Sequence, residues 1–106
     1  YVHAMKKMAE WGTPENLMYV VGATRPAELG ALRAMLPEHF FLVPGVGAQG
    51  GSLQEVFMHG ATKEIGLLVN ASRSILYASG QSDFAAAARN EAARMQEEMA
   101  ALMANL

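Results

Sequence analysis

The sequence predicts an α/β fold built on a parallel sheet, and three observations predict it. Short apolar runs end abruptly in loops marked by glycine or proline, stretches of helical period separate those runs, and the runs lack the polar alternation of half-solvated strands. The 106 residues leave room for one segment with a core, 52% of them being apolar and 17% charged.

Residues 1 to 11 read as an amphipathic helix, stopped by Trp11-Gly12-Thr13-Pro14. Met18-Tyr19-Val20-Val21 is a first strand that breaks at Gly22. A helix follows from Arg25-Pro26, proline suiting its first turn, and runs through Leu29, Leu32, Arg33 and Leu36 to Pro37. Phe40-Phe41-Leu42-Val43 is a second strand, Leu53 to His59 a short helix closed by Gly60, and Ile65 to Val69 a third strand. Asn70-Ala71-Ser72-Arg73-Ser74 leads away from it. Ser82 and Asp83 cap a last helix that reaches the C-terminus, with Phe84, Ala88, Met95, Met99 and Leu102 on one side. The order α, βα, βα, βα with right-handed crossovers fits an open doubly wound sheet or a closed eight-stranded barrel, and both place their chemistry beyond the carboxyl ends of the strands.

Three loops leave those ends: Gly22-Ala23-Thr24-Arg25, Pro44 to Ser52, and Asn70 to Ser74. The middle one carries Gly45, Gly47, Gly50 and Gly51. A loop so poor in side chains, turning from a strand into a helix, can aim backbone N–H groups at a phosphate, which the helix start also favours. A plain glycine-rich connection is the competing reading. Gln49 adds an amide donor to the loop, and Arg73, one strand later beside Ser72, offers a fork of donors matched to phosphate oxygens. Gly45-Val46-Gly47-Ala48-Gln49-Gly50 also fits the dinucleotide pattern G-x-G-x-x-G, with Ser72-Arg73 readable as a 2′-phosphate site for NADP. Pro44, the short following helix and the lack of a strand after Val69 count against that alternative.

Other function classes recede. Net charge is −2 with basic residues spread along the chain, so neither nucleic acid nor a lipid surface finds a basic patch. The absence of cysteine removes thiolate metal sites and fits a reducing cytoplasm. No apolar run approaches the roughly 20 residues of a membrane span, and the start has neither Met nor a signal-peptide core, so the chain reads as a piece of something longer. His3, His39 and His59 are scattered without spaced partner ligands, the eight methionines read as core filler, Trp11 as packed at a helix end, and Lys6, Lys7, Arg89, Arg94, Glu97 and Glu98 as solvated helix faces.

The segments VVGATRPAEL (20 to 29), FLVPGVGAQGG (41 to 51) and LLVNASRSILYAS (67 to 79) together resemble the last three strand-loop units of orotidine 5′-monophosphate decarboxylase of the longer bacterial type. The resemblance spans nearly the whole chain and implies the C-terminal portion of a (β/α)8 barrel. It implies the release of CO2 from orotidine monophosphate to give UMP, without metal or organic cofactor, in a cytoplasmic homodimer. It further implies that Gln49, Val46 and Gly47 grip the substrate and that Arg73 and the backbone near Ser72 hold its phosphate. Pro44, Gly45, Gly50, Gly51, Thr24 and Arg25 would support the loop. Asn70-Ala71-Ser72-Arg73 departs from the Val-Gly-Arg pattern of the shorter branch of the family. The Asp-x-Lys-x-x-Asp acid-base motif of the family is absent: the lysines are Lys6, Lys7 and Lys63, and the sole aspartate is Asp83. A whole barrel needs about 250 residues, so the segment is expected to bind phosphate without catalysing proton transfer, to need the missing N-terminal part, and to self-associate when alone.

Overall fold

A computed structural model of the chain describes residues 2–47 and 51–105. Helix α1 (Val2–Trp11) is followed by β1 (Tyr19–Val20), α2 (Pro26–Met35), β2 (Phe41–Val43), α3 (Leu53–Gly60), β3 (Leu67–Val69), a short α4 (Arg73–Leu76) and a long α5 (Phe84–Met103). The strands form one parallel sheet in the order β1-β2-β3, with Tyr19, Phe41 and Leu67 in one row and Val20, Leu42 and Leu68 in the next. The expected alternation is therefore present, with one addition. Arg73, expected in a loop, opens α4.

Successive strand residues face opposite ways, and only one face of this sheet is covered. Tyr19, Phe41, Val43 and Leu67 are buried in one cluster with Leu29 and Leu32 of α2, Val56 and Phe57 of α3, and Met95 of α5. On the other face Val20 is 66% and Leu68 56% exposed. The residues are apolar on both faces, as the sequence indicates, but this chain supplies helices for only one of them. Trp11, expected to pack, is exposed, because α1 touches the core only through partly buried Met5, Met8 and Ala9. Phe84 is also exposed: the start of α5 stands clear of the core, which Met95, Met99 and Leu102 reach instead. Asp83 precedes α5 without capping it, its carboxylate accepting from the Ser79 hydroxyl at 2.6 Å. Ile65 does not belong to β3. It sits at φ 76° in a turn whose N–H and C=O pair with Thr62.

At the amino ends of the strands, Arg33 is buried and spends its guanidinium on four carbonyls. Nε donates to Gly60 at 2.7 Å, Nη1 to Leu36 at 3.0 Å and His39 at 2.6 Å, and Nη2 to Gly66 at 2.9 Å. Its Cζ lies 3.9 Å over the Phe41 ring. Burial pushes the guanidinium below its usual range, yet no carboxylate pairs with it among the described residues. The oxygens at the ends of α2 and α3, where the helix dipoles are negative, take that role.

At the carboxyl ends the three exits are stitched together. The Ala23 N–H donates to Pro44 at 3.2 Å and the Asn70 N–H to Val43 at 3.0 Å. Gly51 lies so close to β1's exit that a Cβ there would run into the Ala23 carbonyl.

Two stability outcomes follow from these ends of the sheet. Arg33→Met in the protein that carries this chain should lower the unfolding free energy by about 3 kcal/mol, because it strands buried carbonyls; urea unfolding checks this, and a change under about 0.5 kcal/mol contradicts it. Gly51→Ala should cost roughly 2 kcal/mol or more through the clash with Ala23, whereas Gly22→Ala, with nothing within 4 Å of the added carbon, should stay within about 0.5 kcal/mol.

Candidate functional site

Beyond the carboxyl ends of β2 and β3 lies a cleft of about 750 Å³, lined by residues that include Pro44, Gly45, Val46, Gly47, Ser72 and Arg73. The fold builds it from the β2 exit, the β3 exit with α4, and the flank of α5. Position explains its contents, since in parallel α/β folds the loops at this end are free of the sheet's packing demands.

The loop after β2 turns back on itself. The Gly51 N–H donates to Gly45 at 2.7 Å and the Gly47 N–H to Gly51 at 3.3 Å, while Val46 bridges Gly51 and is buried. Gly45 at φ 86° and Gly47 at φ 137° hold backbone angles that L side chains rarely adopt. Of the N–H groups that the sequence offers to a phosphate, those of Gly47 and Gly51 are spent within the loop. The start of α3 is likewise occupied by its own cap, Ser52 Oγ accepting from the Glu55 N–H at 3.4 Å. Gln49 and Gly50 lie outside the described residues.

Arg73 lines the cleft as an exposed side chain, with no hydrogen bond or ion pair among the described residues. Ser72 donates its hydroxyl to Asn70 Oδ1 at 3.2 Å, fixing the exit of β3. Ser74, next along α4, presses against Gly47. The structure thus brings together Pro44, Gly45, Val46, Gly47, Ser72 and Arg73 from the expected set.

It does not bring Thr24 and Arg25 there. They border a separate recess of about 190 Å³ with Met5 and Leu32, and Arg25 pairs with Glu28 at 3.1 Å, one turn along α2. Gly51 against Ala23 is the contact by which the first exit supports the second.

Sequence reasoning missed Ser74, Tyr77, Ala78 and Glu91, which also line the cleft. Glu91 projects from α5, and Arg94 clasps it with Nη2 at 2.7 Å and Nε at 3.1 Å while reaching Glu98 at 3.1 Å. Those hydrogen bonds hold the Glu91 carboxyl below its usual range, burial opposing them weakly, and raise Arg94 above its own. The spacing of Glu91 and Arg94 was a legible helical pair, but nothing local says that the pair borders a cleft made by two other segments. Among the described residues no cluster of three or more His, Asp or Glu side chains could hold a metal ion, and no helix is long and apolar enough to cross a membrane.

Known proteins resemble this chain over nearly all of its length. It is 51% identical over 106 residues to the orotidine 5′-phosphate decarboxylase of Christiangramia forsetii, covering all of this chain and 39% of that protein. It is 51% identical over 96 residues to the enzyme of Bacteroides fragilis, covering 91% and 35%. Among solved structures, Leishmania donovani UMP synthase superposes with a TM-score of 0.69 at 38% identity, over 88% of this chain and 21% of that one. Leishmania donovani OMP decarboxylase gives 0.66 at 32% identity, over 89% and 36%. No family model matches. These relatives lend nothing to the dinucleotide reading, and the chain spans 39% or less of the length of the curated relatives it matches. The chain is similar over nearly its whole length to a part of the orotidine 5′-phosphate decarboxylases, and its three parallel strands with their helices are a portion of a (β/α)8 barrel.

Proposed function

We propose that residues 1–106 are the C-terminal part of an orotidine 5′-monophosphate decarboxylase and supply its grip on the substrate's phosphate. The observation that carries this reading is Arg73, a guanidinium at a strand's carboxyl end with no partner among the described residues, in one cleft with the glycine loop. A guanidinium offers a planar fork to phosphate oxygens and keeps its charge at any physiological pH. Arg94, the other cation near this cleft, is already neutralised by Glu91 and Glu98, which leaves Arg73 to attract a dianion.

Val46 and Gly47 form the near wall of the cleft, with Pro44, Gly45 and Gly51 shaping the loop and Ser72 the turn into α4. Gln49 and Gly50, in the same glycine-rich stretch of the sequence, complete the grip in this reading, while Thr24 and Arg25, which border a separate recess, lie outside it. Breaking the bond between the ring carbon and the carboxylate leaves an electron pair on that carbon, which a proton must meet. The lysine and aspartates for that step come from the part of the barrel this chain lacks. Phosphate binding far from the reacting carbon still contributes to rate, because its energy can close the loop and hold the ring in the geometry of the transition state.

The uncovered sheet face supports the same assignment. In a closed barrel the helices lie outside, so the row Val20, Leu42 and Leu68 faces the interior, where side chains from the other strands pack. The open edges and this apolar face also support self-association of the isolated chain, and the homodimer of the whole enzyme belongs to the same proposal.

Arg73→Ala in the whole enzyme should lower kcat/KM for orotidine monophosphate by about 100- to 1000-fold and leave the phosphate-free nucleoside nearly untouched; steady-state kinetics on both substrates check this, and equal losses contradict it. The chain alone should release no CO2 from orotidine monophosphate and should regain activity when mixed with the remaining N-terminal part. Activity of the chain alone would place the proton-transfer groups wrongly.

A further inference from the structure

Ser74 is the second residue of α4, directly after Arg73. Its Oγ is sealed from solvent and has no hydrogen-bond partner among the described residues. Such a hydroxyl is costly to keep, since water was given up and nothing replaced it. The nearby Ser72 hydroxyl is satisfied by Asn70, so of these two hydroxyls only that of Ser74 lacks a partner among the described residues. Gly47 explains how the hydroxyl is covered. A Cβ at Gly47 would lie 2.8 Å from Ser74 Oγ and 3.0 Å from its Cβ, so the absence of a side chain lets the loop rest directly on the serine. Both residues line the cleft that holds Arg73.

We propose that Ser74 is a further phosphate-binding residue, whose hydroxyl donates to an oxygen of the phosphoryl group held by Arg73 when the Gly47 segment turns aside. The inference rests on the phosphate reading of the cleft. A hydroxyl without a partner gains most from a strong acceptor, and a phosphate oxygen is the strong acceptor that reading brings here. Arg73 and Ser74 are adjacent in α4 and both line the cleft, so a group held by Arg73 lies beside Ser74.

Ser74→Ala in the whole enzyme tests it. Kinetics on orotidine monophosphate should show a fall in kcat/KM of roughly 10- to 100-fold, the loss of one hydrogen bond to a charged group. The phosphate-free nucleoside should react as before, and the melting temperature should not drop, because the hydroxyl contributes no bond within the protein. Ser74→Gly, which also lacks the hydroxyl, serves if the alanine variant does not fold. Equal losses on both substrates would make Ser74 a packing residue, and no loss on either would remove it from the site; both overturn the proposal. Arg73→Ala run in parallel separates the two readings. If it discriminates between the substrates while Ser74→Ala does not, only the role of Ser74 falls, whereas failure of both to discriminate removes the phosphate reading as well.

Discussion

The fold depends first on one buried cation. Arg33 leaves α2 and ties together the ends of α2 and α3 and the segments that enter β2 and β3. Its bond to Gly66 has a double effect, because the same carbonyl accepts the Phe41 N–H at 2.9 Å and so begins the pairing of β2 with β3. A buried charge without a counter-ion is ordinarily a liability. Here carbonyl dipoles at two helix ends and the face of Phe41 replace the lost water. The register of the sheet and the placement of both covering helices are thus linked at a single side chain.

That linkage lies at one end of the strands and the cleft at the other. With the amino ends fixed in this way, the carboxyl-end loops carry glycines in unusual conformations and an arginine that has no partner among the described residues. The stitching of Ala23 to Pro44 and of Asn70 to Val43 still holds the exits side by side.

The exposed row of Val20 and Leu68 leaves one face of the sheet uncovered among the described residues. Tyr19, Phe41, Val43 and Leu67 already have helices over them, whereas their neighbours in the same strands face outward with apolar side chains. The α5 helix is similar in kind: of its twenty residues only Met95 is fully buried. A sheet of three strands with both edges open gains its remaining stability from strands that pair with those edges and fill that face.

Local facts were legible along the chain: apolar runs that must be strands, glycine and proline that end helices, and the order of elements that makes the sheet parallel. The sequence also marked Arg73 and the glycine loop, because strand exits are legible wherever an apolar run stops. Residues Leu29, Leu32, Arg33 and Leu36 could be placed on one helix, but helical spacing carries no information about which carbonyls a buried guanidinium will meet. Only the tertiary structure decided that Arg33 is the tie, that Thr24 and Arg25 turn away from the cleft, that Glu91 borders it, and that Gly47 rests on Ser74. Each of these is a contact between segments distant along the chain, and such contacts are set by packing in three dimensions rather than by the preferences of neighbouring residues.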